Sequence, residues 1–362
     1  MRSMHIIGSR QLGGAESFFM RLVQALGERP DHQALSVSRP CGPLAAALSD
    51  DASHYRVAMR NGWDLPSVWA IRRLVRRAAP DIVQTYMGRA TRLTRLPRNS
   101  PAVHVARLGG FYKISGYYRH ADAWVGNTRE LCDYLVQQGL PAASVYRIGN
   151  FVELPEPTDS TTLAALRTSL QIPEEALVIF SLGRFITIKG FNDLLSAFAE
   201  LAAEYDGRPL YLLLAGDGPL KNQLHQQAAD LGLAERVRWA GWQKNPAPYF
   251  DLADLFVCPS THETLGNVIL EAWSHRKPVL STTTPGALEL IEDGVNGLLT
   301  PVQDPGRMAT ELRELLQAGP PGWRQLGDKG FETLRSHHSK EAVVEQYLAM
   351  YEELQARKGR QA

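Results

Sequence analysis

Short apolar runs alternate along this chain with longer stretches whose apolar residues recur every three or four positions. His5-Ile-Ile-Gly8 reads as a brief strand, Gly13-Gly14-Ala15-Glu16 as a turn, and Ser17 to Leu26 has helical spacing. Further strands fall at Ala34 to Val37, Asp81 to Gln84, Ala102 to Arg107 and Ala123 to Gly126. Asn127 suits the cap of a helix running to about Gln138, and Arg147 to Val152 closes the half. The stretch from Val152 to Ser160 holds prolines and small polar residues that break both periods, so it reads as a linker. The same grammar then restarts. Strands fall at Leu177 to Gly183, Leu210 to Gly216, Val237 to Gly241, Asp254 to Cys258 and Pro278 to Ser281. Helices fall at Asn192 to Glu204 and Lys221 to Gly232, and another opens near Gly266 or Asn267. The tail from Lys340 to about Ala356 carries Val343, Val344, Tyr347, Leu348, Tyr351 and Leu354 at helical spacing. Alternation of this kind predicts an α/β fold, with parallel sheets covered by helices on both faces. Two doubly wound domains are expected, at 1–152 and 160–338, with a terminal helix at 339–362 packing across both.

The totals fit this division. A chain of 362 residues suggests about two domains, and 44% hydrophobic with 21% charged residues is a soluble globular composition. No apolar run approaches the roughly 18 residues of a membrane span, and the start is too short in apolar residues for a signal peptide. Cys41, Cys132 and Cys258 are few and widely spaced, which reads as reduced thiols in a cytoplasmic protein without a metal or disulfide pattern.

The net charge of +1 hides an asymmetry. Residues 1–150 hold 20 Lys and Arg against 10 Asp and Glu, which leaves 19 and 28 of the totals for the rest. A basic half points to an anionic partner, such as a membrane surface or a phosphorylated acceptor; the alternative is arginine-rich usage with no partner implied. The stretch from Val68 to Arg77 concentrates that charge on an amphipathic segment, so peripheral contact with the anionic inner membrane on its cytoplasmic face is expected, and no nucleic-acid partner.

The candidate chemistry gathers where strands end. Cys258-Pro-Ser-Thr-His262-Glu263-Thr264-Leu265-Gly266-Asn267 runs from a strand through a small-polar loop into a helix that carries Glu271. Open α/β sheets bind ligands at the carboxyl ends of strands, and a helix start offers unpaired N–H groups to a phosphate. An ionised carboxylate accepts two hydrogen bonds, which matches adjacent sugar hydroxyls; two solvated glutamates on a capped surface helix are the bland alternative. Arg184 and Lys189 flank one loop and could converge on a diphosphate, or simply be solvated beside a turn. Gly216-Asp217-Gly218 permits a tight turn, and Gly13-Gly14 could bring backbone N–H groups to an anion or form a plain turn. No Asp-x-Asp triplet is present, so no metal or other cofactor is expected.

Glu263 and Glu271 are separated by seven residues, and with Arg276-Lys-Pro278, Gly286-Ala-Leu-Glu289 and Asp293-Gly294-Val-Asn296-Gly297 the second half resembles the retaining glycosyltransferases of family 4. The resemblance spans nearly the whole chain and is stronger after residue 175. It implies the GT-B fold, two facing Rossmann-like domains around a cleft, with acceptor on the first and nucleotide sugar mainly on the second. It implies that Arg184 and Lys189 neutralise the donor diphosphate without a metal. Glu271 would accept the ribose hydroxyls, and Glu263 hydroxyls of the transferred sugar. Gly13, Gly14, Gly216, His262, Thr264, Leu265, Gly266 and Asn267 would complete the donor site. A departing phosphate oxygen would take the acceptor proton on the same face, and domain closure would exclude water.

Many family members carry a histidine at the end of the strand where this chain has Arg107, with His104 three residues earlier. Arg107 then becomes the candidate for charge on the sugar, and His104 reads as a core residue. Arg107 to Tyr112, Asn127 to Arg129 and Gly149 to Phe151 look like a subgroup that builds bacterial lipopolysaccharide core or related surface glycans. The expected donor is a UDP, GDP or ADP sugar, and the acceptor a glycan or a lipid-linked glycan. Two other readings stay open: a nucleotide-sugar epimerase of the same fold, and a non-catalytic subunit that binds sugar nucleotides or glycans.

Overall fold

The computed structural model of the protein describes residues 1–11, 13–48, 53–97 and 99–360. The chain divides into two compact units, residues 1–151 with 340–362, and residues 152–339. The first contains β1 (Arg2–Ile7), α1 (Gly14–Gly27), β2 (Gln33–Ser38), α2 (Pro43–Ala47), β3 (His54–Arg56), α3 (Leu65–Ala78), β4 (Ile82–Tyr86), α4 (Met87–Leu93), β5 (Val103–Leu108), β6 (Ala123–Gly126), α5 (Arg129–Gln137) and β7 (Val145–Arg147). The second contains α6 (Ser160–Ser169), β8 (Leu177–Leu182), α7 (Phe191–Ala199), β9 (Glu204–Tyr205), β10 (Arg208–Ala215), α8 (Lys221–Asp230), β11 (Val237–Gly241), α9 (Ala247–Leu252), β12 (Leu255–Cys258), α10 (Asn267–Ser274), β13 (Val279–Thr282), α11 (Pro285–Leu290), β14 (Leu298–Thr300) and α12 (Pro305–His337). The chain ends in α13 (Lys340–Gly359), and residues 361 and 362 of the expected terminal helix lie outside the described residues.

Both sheets are parallel and doubly wound. Strand order is β3-β2-β1-β4-β5-β6-β7 in the first unit and β11-β10-β8-β12-β13-β14 in the second, with β9 antiparallel to β10. Buried residues alternate between the two faces, as the period of a strand requires. Met4 and Ile6 of β1 face Ile71, Val75 and Leu93, whereas Ile7 faces Phe18, Phe19 and Tyr347. In β8, Leu177 and Ile179 join one cluster with Leu194 and Phe198, and Val178 and Phe180 join another with Ile269 and Trp273.

Local departures from the sequence pattern have local causes. Thr128, not Asn127, caps α5, its hydroxyl accepting from the Leu131 N–H at 3.3 Å. The helix expected to reach Glu204 stops at Ala199, because Asp206 and Gly207, both at positive φ, turn Glu204–Tyr205 back onto β10. Gly319, with φ of 64°, and Pro320-Pro321 break α12 into two helices in series.

The terminal helix belongs to the first unit. Its Val343, Val344, Tyr347, Met350, Tyr351 and Leu354 lie in the core shared with α1 and the sheet. A buried polar chain adds to this apolar contact. The Tyr351 hydroxyl donates to Gln84 Oε1 at 2.7 Å, and Gln84 Nε2 donates to the Tyr86 hydroxyl at 2.7 Å. His5 Nδ1 lies 2.9 Å from that hydroxyl, and Ser3 Oγ bridges His5 and His32 at 2.9 and 2.7 Å. Burial, helped by His32, lowers the His5 imidazole to about 3, so this chain is built from neutral groups.

Candidate active site

In the second unit the strand order reverses between β8 and β12, which pair directly through Ile179 with Leu255 and Phe180 with Phe256. The loops leaving these strands therefore emerge side by side at their carboxyl ends. After β8, Phe185 turns inward. It packs edge-on against Phe191 and Trp239, and its N–H donates to Asp217 O at 3.0 Å. This inward anchor leaves Arg184 exposed, and among the described residues nothing bonds its guanidinium. Gly216 lies where a Cβ would come 1.9 Å from Gly183 O, so the loops after β8 and β10 pack backbone to backbone.

A single 3₁₀ turn, Thr187–Lys189, ends at Gly190 with φ of 66°. A Cβ at Gly190 would stand 1.9 Å from Pro259 O in the loop after β12. That close approach lets the Thr261 N–H donate to Ile188 O at 2.9 Å and clips the two loops together. Lys189 Nζ then donates to Glu263 Oε1, and the Ser260 hydroxyl donates to the same oxygen at 2.9 Å. Both side chains stay partly open, Lys189 at 22% and Glu263 at 14% exposure. Among the described residues no donor reaches Glu263 Oε2. The loop is held from behind as well: Thr282 Oγ1 donates to Ser260 O, and the Gly286 N–H donates to Glu263 O at 2.9 Å. Burial, reinforced by the Glu263 charge, pushes the Cys258 thiol up, so it is an inert neighbour.

Gly266, in the left-handed region at φ of 79°, starts α10. Ile269, Leu270, Ala272 and Trp273 fill the buried side of α10, which leaves Asn267 and Glu271, four residues apart, on one half-buried face. Leu265 is 3% exposed and belongs to the core, so only its backbone can serve a ligand. His262 is exposed and Thr264 half-buried on the same loop. Behind the site, His275 and Thr158 bond Asp251 at 2.6 and 3.0 Å. Burial opposes ionisation of Asp251, but these bonds outweigh it and hold the carboxyl at about 2.

The first-unit candidates have a different character. Arg107 is 3% exposed; its Nε donates to the Tyr347 hydroxyl at 3.1 Å, its Nη2 to Asn150 Oδ1, and its plane lies 4.0 Å over Phe18. These contacts join β5, the segment before the linker and α13. His104 is a core residue: Nε2 lies 3.0 Å from Thr85 Oγ1, and burial, with His120 second, lowers it to about 3. Gly13 and Gly14 open α1, with Gly13 extended and the buried Glu16 in the first turn.

The comparisons follow these boundaries. Residues 12–155 match the family described as Glycosyltransferase Family 4, and residues 176–318 the one described as Glycosyl transferases group 1. The chain is 34% identical over 341 residues to the lipopolysaccharide core biosynthesis glycosyltransferase LpsE of Rhizobium meliloti (strain 1021), covering 93% of this chain and 95% of that one. The chain belongs to the family 4 glycosyltransferases. This glycosyltransferase is also 32% identical to LpsD of the same organism, over 97% of its own length and 98% of the relative's. A glycosyltransferase from Rickettsia africae ESF-5 superposes with a TM-score of 0.84 at 18% identity, covering 98% of each chain. Anabaena Alr3699/HepE in complex with UDP-glucose superposes at 0.82 with 21% identity, covering 98% of this chain and 100% of that one. The fold of this glycosyltransferase is therefore GT-B, built from two Rossmann-like units.

Three further residues support or flank the loops of this glycosyltransferase's site. Ser260 was legible as a small polar residue beside Glu263, but its bond was not. Gly286 sits against the Leu265 backbone, a contact between distant segments. Trp242 is 63% exposed directly after β11, whose Gly241 O accepts from the Gly216 N–H at 2.8 Å. An exposed tryptophan at a strand's carboxyl end was a readable signal.

Proposed function

We propose that the enzyme is a retaining, metal-independent hexosyltransferase that moves a sugar from a UDP, GDP or ADP sugar onto a glycan or lipid-linked acceptor of bacterial lipopolysaccharide core or surface polysaccharide. The carrying observation is the Lys189–Glu263–Ser260 cluster, held open at the carboxyl ends of β8 and β12 beside the start of α10. Glu263 already carries a cation and a hydroxyl on one oxygen and keeps the other for a ligand. A nucleotide sugar brings both complements, a diphosphate for Lys189 and sugar hydroxyls for Glu263. Arg184, Lys189 and the N–H groups around Gly266 and Asn267 would neutralise charge growing on the leaving diphosphate. Glu271, on the Asn267 face of α10, would accept the ribose hydroxyls, and Trp242 offers a flat surface to the base. The near full-length match to two lipopolysaccharide core glycosyltransferases supports the acceptor class. The complexes of Alr3699/HepE with UDP and with UDP-glucose support the donor class.

In the reaction the acceptor oxygen bonds to the anomeric carbon as the bond from that carbon to the diphosphate breaks. The acceptor proton passes to the departing phosphate oxygen on the same face, which gives a retained glycoside and the nucleoside diphosphate. Glu263 would balance positive charge developing on the ring. A screen of UDP, GDP and ADP sugars, with truncated core oligosaccharide as acceptor and NMR of the product, tests this. A glycoside with the donor's anomeric configuration, formed equally well in EDTA, is expected. An inverted product, or an epimerised donor without transfer, would end the reading.

A further inference from the structure

The most exposed large apolar side chains among the described residues crowd into seven consecutive positions. Trp63, Leu65 and Trp69 are 78%, 68% and 66% exposed, around the start of α3. Helix α3 has its packing face elsewhere: Ser67, Ile71 and Val75 point into the first unit, against Met4, Ile6 and Val83. Its outer face runs Leu65, Trp69, Arg73, Arg76 and Arg77, apolar over the first turns and cationic over the last. Trp63 is held in place rather than loose: the Arg92 guanidinium lies 3.5 Å from the centre of its ring, and its backbone N–H donates to Asn61 Oδ1 at 2.8 Å. Beside the cationic end, a cavity of about 320 Å³ is lined by Arg72, Arg76, Leu96, Asn99, Ser100 and Pro101. Most of the lining is apolar, with Val75, Ala79, Pro80, Pro97 and Ala102 completing it, and the two arginines stand at its polar part, an arrangement that suits a phosphate ester with an apolar attachment.

We propose that this face of α3 is a docking surface for an anionic phospholipid bilayer. Trp63, Leu65 and Trp69 enter the interfacial layer, Arg73 and Arg77 lie at the phosphates, and the Arg72–Arg76 cavity receives one lipid phosphate. Charge complementarity selects this occupant: the first unit carries an excess of Lys and Arg, and a bilayer offers many phosphates on one plane. Tryptophans sit at the level of the headgroups because their rings are part apolar and part hydrogen-bonding. No helix among the described residues is long and apolar enough to cross a membrane, so attachment through this face is superficial.

Co-sedimentation of the full-length protein with vesicles tests the surface. Binding is expected with phosphatidylglycerol and phosphatidylcholine in equal parts, weak binding with phosphatidylcholine alone, and release as salt rises. The variant Trp63→Ala, Leu65→Ser, Trp69→Ala should lose binding at least about tenfold, and Arg73→Glu with Arg77→Glu should abolish the preference for anionic lipid. All five side chains are exposed, so the variants should keep the wild-type circular dichroism. Vesicle binding is read without turnover, so its failure leaves the transferase reading intact. Three results would overturn the proposal: wild-type protein staying in solution with anionic vesicles, variants that bind like wild type, or a concentration-dependent dimer that the triple variant dissolves. Competition by inorganic phosphate at millimolar concentration equal to that of vesicle phosphate would likewise overturn it, as it would show a free-anion site.

Discussion

The two units share one topology and use its reversal point in opposite ways. In the first, a side chain of α4 bridges to the segment leaving β1. Arg89 Nη1 lies against Gly8 O and Met59 O at 3.3 and 3.4 Å, and the polar chain from His5 through Tyr86 to Tyr351 occupies the interior beneath. In the second, the ends of β8 and β12 carry a lysine and a serine on one oxygen of a glutamate whose other oxygen has no donor among the described residues. Helix starts differ in the same sense. Helix α1 has the buried Glu16 in its first turn, whereas α10 has no acidic residue there and has Glu271 on its Asn267 face. A helix whose N-terminus already faces a carboxylate has less to offer a phosphate. The chain from His5 through Tyr86 and Gln84 to Tyr351 links buried polar groups of the first unit to one another, whereas Lys189 and Ser260 of the second gather on one oxygen of a partly exposed carboxylate.

The sharpest way to break this contrast is to cut both arginine- or lysine-centred clusters and compare what is lost. Lys189→Ala and Glu263→Ala should each lower kcat by about 100- to 1,000-fold, with unchanged circular dichroism, because they remove charge stabilisation at the reacting sugar. Steady-state assay with the identified donor checks this, and normal turnover in either variant would remove the site. Arg107→Leu should do the reverse. It leaves Tyr347 and Asn150 buried without their charged donor, at a cost of about 3 kcal/mol in stability, while folded protein keeps kcat within a few fold. Denaturant titration beside single-turnover assay separates the two.

Acid should divide the units next. His5 and His104 have folded pKa values near 3 against about 6.5 when unfolded. The unfolded chain binds more protons across that window, so stability of the first unit falls as pH drops from about 6.5 toward 3. At pH 5 the loss is about 2 kcal/mol for each histidine. Asp251 in the second unit, held at about 2, is depressed below its unfolded value. Its contribution is present above about pH 3.8 and fades only as pH falls further toward 2. Hydrogen exchange followed from pH 8 to pH 5 should show the first unit opening before the second; equal loss would count against the neutral chain. The smallest effect is expected at Trp242, where substitution by alanine should raise donor KM about tenfold with kcat little changed, as loss of base stacking would.

Much of the second unit's site was readable because its residues are close in sequence. Glu263, Gly266, Asn267 and Glu271 sit within nine consecutive positions, where strand, loop and helix periods fix their spacing. Arg184 and Lys189 are likewise set by one short loop. The Arg107 partners were not readable, since Asn150 and Tyr347 come from segments 43 and 240 residues away. The β9 turn is signalled by Asp206-Gly207, which ends the helical period before β10.

The sequence by itself determined two rounds of strand and helix, the parallel sheets they form, and the loops where chemistry collects. Period and turn chemistry are local, and local sterics decide them. Only the tertiary structure decided that Lys189 meets Glu263, that Arg107 is buried among aromatic and amide groups, and that the last helix completes the first unit. Each depends on which distant segments come within hydrogen-bonding reach, and close packing of the two cores settles that, not the pattern along the chain.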